Sequence, residues 1–583
     1  MSGVFGMRLD ARIALYCHEF LHKTHAPSLF DMSKKLTEDD PMIAELKIQG
    51  KKHEARVIDY LLSLPLQIQK ISSDIYSKEA QKKTAELMVD DSVDVILGSY
   101  IGEICEQELA NQIGRDIPGD SSRVSRPDLL VRVGTGDHGF PTWAPVDIKA
   151  HSAFDDSNKS NQVIISNCED LVADKGQRIS DKLDFEDSMQ LAHYDTHLRN
   201  LGFAGKNYLA GVIGRDYSTI AWAYLDKTIK GRGNSAPNYL SLYFEGFLVA
   251  ETIVTKAKER ELNQELPPVT NPIRIASGKF GCGVCLFRDV CYDELLAFDG
   301  GKGHVSLLPR VTKTFIDDHL EGIANISQLR RASGLSDQGL KAQIRADAWE
   351  TGKPRLLDRD SRLIIPRFDV EIDIDLENSQ GVLQEATDTS DAADDIVYLY
   401  GYAIYEHQKL ASIFDLEVNS VEDYETKSAD SVKVLKTTWE ILIHSVREAE
   451  NSGKSVGIFH YGSHEVSWWR RFARNNEGVS GVPSIDEVDT FISKYFVNLL
   501  PLAQKVAFKS SGYSIKDLAP LAGFQWRVDD PGGALSLLKY RTATTESAND
   551  LERQEAKEWL RSYNADDVRA TLAVRQFLRS LQL

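Results

Sequence analysis

The sequence predicts an α/β protein: an N-terminal α/β unit over residues 1–300, a helical connector over 301–360, and a second α/β unit over 361–583. Three observations carry this reading. Short β-type runs, VDVILGSYIGE, PDLLVRV and TWAPVDIKA, alternate with loops of Gly, Asp, Ser and Pro. The helical run DSMQLAHYDTHLRNLG comes after them. A fresh strand pattern, RLIIPRFDVEIDIDLE, then opens near residue 363.

The remaining elements follow in order. RIALYCHEFLHK and ARVIDYLLSLPL place apolar residues at three- and four-residue steps, so the first 80 residues read as helical. Residues 239–265 read as one long helix that ends near the ELPPVTNP loop. DDHLEGIANISQLRRASGLSDQGLKAQI reads as two or three short helices with Gly turns. It is either a helix–hairpin–helix-like connector or a plain helical linker, and both remain open. The acidic, low-complexity QEATDTSDAADD reads as a surface loop.

Composition excludes several classes. No apolar run approaches the roughly 18–20 residues of a membrane span, and MSGVFGMRLDAR has no apolar signal region. Six cysteines in 583 residues, three of them clustered, do not make a disulfide framework. They fit thiols used as metal ligands in a reducing cytoplasm, the expected location. The net charge of −19 argues against a nucleic-acid coat protein but not against an enzyme that grips phosphates locally. Basic runs such as KIQGKKHEAR and KTIKGRGN read as phosphate grip or as solvated surface. No GxxxxGK[ST] is present, so any helicase motor would be a separate partner.

Two constellations carry chemistry. In WAPVDIKAHS, Asp147 and Lys149 are two apart and share a strand face. Such a pair suits phosphodiester hydrolysis, with the carboxylate on Mg²⁺ and the ammonium near the attacking water. Asp128 heads the preceding strand and His53 lies on an early helix; taken alone, His53 reads as a surface partner of Glu54. Gln190 and Tyr194 are i and i+4 on a helix, facing one cleft.

Taken in order, these residues resemble the RecB-type branch of the PD-(D/E)XK nucleases, which implies a restriction-endonuclease-like core with helical additions. The resemblance implies His53, Asp128 and Asp147 as metal ligands, Lys149 as catalytic, and Gln190 and Tyr194 at the substrate. Where that family writes Gly-x-x-Asp, this chain has Ser125 ahead of Pro127 and Asp128.

Cys282, Cys285 and Cys291 form C-x2-C-x5-C. A tetrahedral zinc or a cubane iron–sulfur cluster needs four ligands, and spacing alone leaves the metal open. RecB-type nucleases of the AddB-like and CRISPR-associated adaptation kinds end with this motif, and a lone earlier cysteine completes a 4Fe-4S site. The resemblance implies Cys17 as that ligand, making the cluster a clasp around the nuclease core. Cys105 and Cys168 read as ordinary thiols.

In VEIDIDLE, the carboxylates Glu371, Asp373, Asp375 and Glu377 share one strand face and repel unless cations neutralise them. Asp375-x-Glu377 and the later Tyr563-x3-Asp567 resemble the opening and closing motifs of RNase H-like DEDD exonucleases, which hold two divalent metals. The middle motif is replaced by FHYGSHEVSWW, where Glu465 is the nearest stand-in, and Asn498 stands where another acid is expected.

Together the resemblances imply a Mg²⁺- or Mn²⁺-dependent DNA nuclease acting on single strands or ends, with a second 3′-directed exonuclease site. The alternatives are a nucleic-acid-binding protein on decayed nuclease scaffolds, or a nuclease acting on RNA through the C-terminal domain. The pathway, whether DNA repair, recombination or defence, is left open.

Overall fold

The computed structural model divides into two compact units, residues 1–36, 46–270 and 277–290 in the first, and 37–45, 271–276 and 291–583 in the second. The structure describes all residues except 1–7, 37–40, 73–76, 115, 118, 121, 152, 154–161, 172–175, 181–182, 230–236, 266–281, 283–284, 359–361, 380–395, 407–411, 426–431, 529–532, 546–547 and 582–583. QEATDTSDAADD and most of ELPPVTNP and KTIKGRGN lie outside the described residues, as do Phe280, Gly281, Gly283 and Val284 beside the cysteines.

Among the described residues, the first unit is built on eight strands, β1 (Ile68–Lys70), β2 (Val95–Leu97), β3 (Leu129–Thr135), β4 (Pro141–Ile148), β5 (Gln162–Asn167), β6 (Gln177–Ser180), β7 (Leu209–Ile213) and β8 (Thr219–Tyr224). Their order is β1-β2-β3-β4-β7-β8-β5-β6. β4 pairs antiparallel with β3 and parallel with β7. All eight of its residues are buried, which explains its near-continuous apolar text.

Helices cover both faces. α1 (His18–His25), α3 (Phe185–Leu201) and α4 (Tyr239–Asn263) share a core with Ala210, Val212 and Ala223. Val57 and Leu61 of α2 (Pro41–Leu62) pack against Leu97, Leu129 and Val146 instead. α3 starts where the Asp184 carboxylate accepts the N–H groups of Glu186 and Asp187, and stops at Gly202 with φ 81°.

In the second unit, α5 (Arg288–Gly301), two short helices (Lys313–His319 and Ile326–Arg331) and α6 (Asp337–Thr351) follow one another. Leu295, Leu307, Leu329 and Ala346 give this helical segment a small core of its own. Its trailing strand β9 (Arg355–Leu356) pairs antiparallel with β15 (Val506–Ala507) in a two-stranded sheet of their own, beside the five-stranded C-terminal sheet in the chain.

That sheet comprises β10 (Val370–Asn378), β11 (Val397–Tyr405), β12 (Asn419–Glu422), β13 (Val456–His460) and β14 (Phe496–Asn498), in the order β12-β11-β10-β13-β14. The first three form an antiparallel meander, and β13 runs parallel to β10 on its other side. Val370, Ile372, Ile374 and Leu376 face a core with α7 (Lys433–Asn451), α8 (His464–Asn475) and α9 (Ile485–Tyr495). A helix α10 (Gly533–Thr544) precedes the long α11 (Asp550–Ser580), which opens on an Asn549–Glu552 capping box.

α11 lies on the acidic face of β10, as the ion pairs of Arg575 and Arg579 with Glu371 require. Gly401, paired opposite Asp375, permits the approach: a Cβ there would sit 2.1 Å from Asn564 Oδ1.

Candidate functional site

The four carboxylates of β10 divide into two pairs with different partners. Glu371 and Asp373 are 1% and 0% exposed, and the buried Arg575 reaches Glu371 at 2.8 Å and Asp373 at 2.6 Å. Arg579, one turn further along α11, adds a second guanidinium on Glu371. These two acids are neutralised by the protein itself.

Asp375 and Glu377 meet a different part of α11. One oxygen from each of Asp375, Glu377 and Asp567 lies within 4.8 Å of the others, a spacing suited to a shared cation. Burial, then mutual repulsion, pushes the Asp375 carboxyl well above the carboxylate range and that of Glu377 up to about 8. Asp567 is raised by burial too, although Lys516 opposes the rise. Oxygen-rich, mutually repelling and partly desolvated, the trio has the donor chemistry of a Mg²⁺ or Mn²⁺ site.

The surrounding residues fix these acids in place. Asn564 donates Nδ2 to Asp375 Oδ2 at 2.8 Å, and Ser536 donates its hydroxyl to Glu377 Oε2 at 3.1 Å. Lys516 Nζ and Trp526 Nε1 donate to Asp567 Oδ1 at 2.5 and 2.7 Å. Tyr563 is hydrogen-bonded to Asp567 one helical turn away, with its hydroxyl held far above its ordinary value by burial.

Glu465, in the first turn of α8, is 3% exposed and near enough to raise Asp375. Its Oε2 has no hydrogen-bond partner among the described residues, with His460 Nδ1 at 3.3 Å. A buried carboxylate oxygen so placed fits a cation site. Asn498 serves the backbone: it accepts from the N–H groups of Gly462 and Leu500 and donates to the Gly462 carbonyl at 2.6 Å, holding the turn that leads to Glu465.

Sequence motifs do not single out Lys516, Trp526, Ser536 or Asn564. Asn564 carries a signal that could have found it, since it precedes Asp567 by three residues on the same helix. Lys516 and Trp526 carry none.

In the first unit, Asp128 Oδ2 accepts the Ile148 N–H at 2.7 Å, which sets it against the end of β4. Its carboxyl is pushed up to about 8 by burial and by Asp147. Lys149 lies 3.0 Å from Asp147 and donates to Gln190 Oε1 at 2.7 Å. Burial alone would lower the Lys149 pKa, yet Asp147, Asp187 and Asp128 raise it. Tyr194 is buried and feels both Asp147 and Asp128. Asp128, Asp147, Lys149, Gln190 and Tyr194 therefore share one pocket.

His53 donates from Nε2 to the Gly214 carbonyl at 3.1 Å, and burial holds its pKa below the usual range. It does not converge with Asp128 and Asp147 into a three-ligand group; among the described residues of this unit, His151, Asp184 and Asp187 do.

All six cysteines are free thiols. Cys17 caps α1, its Sγ accepting the Phe20 N–H at 3.4 Å, and Cys285 Sγ accepts the Phe287 N–H at 3.4 Å. Burial pushes the Cys17 thiol up to about 11, and Cys285 and Cys282 both add to the rise, so these three are neighbours. Cys291 lies on α5. Cys105 and Cys168 are buried in apolar cores.

A family model described as RNase_H superfamily matches residues 384–579. The match begins after the strand that carries Asp375 and Glu377 and includes Glu465, Tyr563 and Asp567. No curated protein and no solved structure matches the chain. The C-terminal domain is RNase H-like, which implies a nucleic-acid substrate and suggests a phosphodiester-hydrolysing nuclease. No helix among the described residues is long and apolar enough to cross a membrane.

Proposed function

We propose that this chain is a divalent-metal-dependent nuclease that hydrolyses DNA, single-stranded or at ends, with a 3′-directed exonuclease site in the RNase H-like domain and a PD-(D/E)XK site in the first unit. The observation that carries this reading is the convergence of Asp375, Glu377 and Asp567 within 4.8 Å. Mg²⁺ or Mn²⁺ would supply Lewis acidity toward the phosphate and the attacking water.

The side chains do the rest. Asp375, Glu377 and Asp567 hold the ion, and Glu465 completes the acidic set. Tyr563, bonded to Asp567, orients the water. Lys516 brings positive charge to the oxyanion that develops as the phosphate is attacked. In the first unit, Asp128 and Asp147 hold the metal, Gln190 aims Lys149, and Tyr194 walls the pocket. His53, whose Nε2 is committed to the Gly214 carbonyl, would join that set only through Nδ1 and after a shift toward Asp128 and Asp147.

Cys17, Cys282, Cys285 and Cys291 hold a 4Fe-4S cluster that clasps the nuclease domain. The mutual influence of Cys17, Cys282 and Cys285 supports this assignment.

The test digests end-labelled single-stranded DNA, duplex DNA and RNA with Mg²⁺ or Mn²⁺. Asp375→Asn and Lys149→Ala should each remove one activity, and together all cleavage. A double variant that cuts DNA as fast as wild type sinks the reading. Anaerobic purification should give a brown protein containing iron, and Cys17→Ala should lose both colour and iron; colourless protein containing zinc overturns the cluster.

A further inference from the structure

The second unit contains two neighbouring recesses that metal binding does not use. One, of about 580 Å³, is lined by Tyr461 and Gly462, shortly ahead of Glu465, and by Ser514 and Ile515, directly ahead of Lys516. The other, of about 630 Å³, is lined by Arg310, Lys341, Arg345 and Lys505, with Asp358 as the single carboxylate among the described residues. Arg310 and Gln504 line both, joined by a hydrogen bond of 2.5 Å. The recesses thus meet at this pair, and the wall of the first is continuous along the chain with the segments that carry Glu465 and Lys516.

Arg345 gives the basic recess its meaning. It projects from α6, is 5% exposed, and its Nε has no hydrogen-bond partner among the described residues. No carboxylate among the described residues forms an ion pair with it. Burying an unpaired guanidinium is costly, and three further cations around the same cavity raise that cost. Arg575, fully buried, shows the contrast: it rests on two carboxylates. In a chain of net charge −19, a recess lined by four cations and one acid among the described residues is complementary to a polyanion.

We propose that the two recesses form one groove that holds the sugar–phosphate backbone of a single nucleic-acid strand. Arg345, Lys341, Lys505 and Arg310 contact successive phosphates, and the strand's end passes Tyr461 to reach Asp375, Glu377 and Asp567. The groove rests on the nuclease reading for its direction. It also gives the helical segment before β9 a role in substrate binding, because α6 forms one wall. Recesses of about 580 and 630 Å³ suit one strand better than a duplex.

The test is fluorescence anisotropy of the full chain with a 5′-labelled 20-nucleotide single-stranded DNA, in EDTA, across a range of NaCl concentrations. Lys341→Glu with Lys505→Glu should weaken binding at least tenfold and lower the salt slope by about 1.4, from two phosphate contacts at about 0.7 each. Arg345→Gln should weaken binding more than Arg345→Lys, which keeps the charge; circular dichroism checks that each variant folds. Binding by the Lys341/Lys505 variant within twofold of wild type, with an unchanged slope, overturns the groove. So does a labelled duplex that binds as tightly as the single strand and loses the same affinity. Failure of the nuclease reading looks different: wild type would bind through these residues yet cleave nothing with any divalent ion.

Discussion

Lys516 sets its ammonium 2.5 Å from Asp567 Oδ1, and the same ammonium stands 4.5 Å from the centre of the Tyr563 ring. A tethered cation thus shares the carboxylate group that would hold a metal ion. Two like charges a few ångströms apart repel strongly even at an effective dielectric near 20. Lys516→Met should therefore tighten Mn²⁺ binding at least tenfold, measured by titration calorimetry without substrate. Unchanged affinity would show that the ammonium does not act on the ion.

The raised carboxyls make the metal-free protein sensitive to alkali. Glu377 and Asp128 are pushed up to about 8, whereas unfolded carboxyls titrate near 4. Between those values the folded state binds more protons than the unfolded state, so stability falls as pH rises from about 4.5 to 8. Melting temperatures in EDTA should drop across that window, and Glu377→Gln should reduce the drop. Saturating Mg²⁺ should largely abolish it, because the ion replaces the proton.

Gly401 of β11 lies against Asn564 and Val568 of α11 with no room for a side chain. Gly401→Ala would place a Cβ 2.1 Å from Asn564 Oδ1 and 3.1 Å from Val568 Cγ2. The helix has to shift, at a cost of about 1–3 kcal/mol, and Asp567 moves with it. Urea denaturation should show that loss, and cleavage at the RNase H-like site should fall further than stability alone explains.

Arg575→Met strips Asp373 Oδ2 of its partner, while Asp373 Oδ1 already has none among the described residues. A buried carboxylate left unpaired should cost about 3–5 kcal/mol in urea denaturation. Arg575→Met combined with Asp373→Leu should recover most of that loss, because Glu371 keeps Arg579 and no unpaired carboxylate then remains. If the double variant is as unstable as the single one, the pair is not what holds α11 against β10.

Much of the second site was legible from spacing. Asp375-x-Glu377 lies on one strand face, and Tyr563-x3-Asp567 on one helix face, wherever those elements form. Equally, Asp147, Lys149, Gln190 and Tyr194 reach one pocket because β4 and α3 carry strong local signals, from the buried apolar run to the Asp184 cap. His53 was harder to place: helix periodicity locates it on α2 but says nothing of the Gly214 carbonyl that takes its Nε2. Lys516 and Trp526 belong to short or irregular segments with no periodic pattern to aim them, and Ser536 lies on α10, whose period does not say which strand it meets.

Local chemistry in the sequence was enough to determine an α/β chain with an acidic strand, a later Tyr–Asp helix and a cysteine cluster, because strand and helix periods act over a few residues. Only the tertiary structure decided how the four acids of β10 are used. α11 crosses their face with arginines at one end and Asp567 at the other. Glu371 and Asp373 are thereby neutralised as a structural pair, and Asp375 and Glu377 are left in want of a cation. That division depends on where one helix meets one strand some 200 residues away, a relation no local pattern encodes.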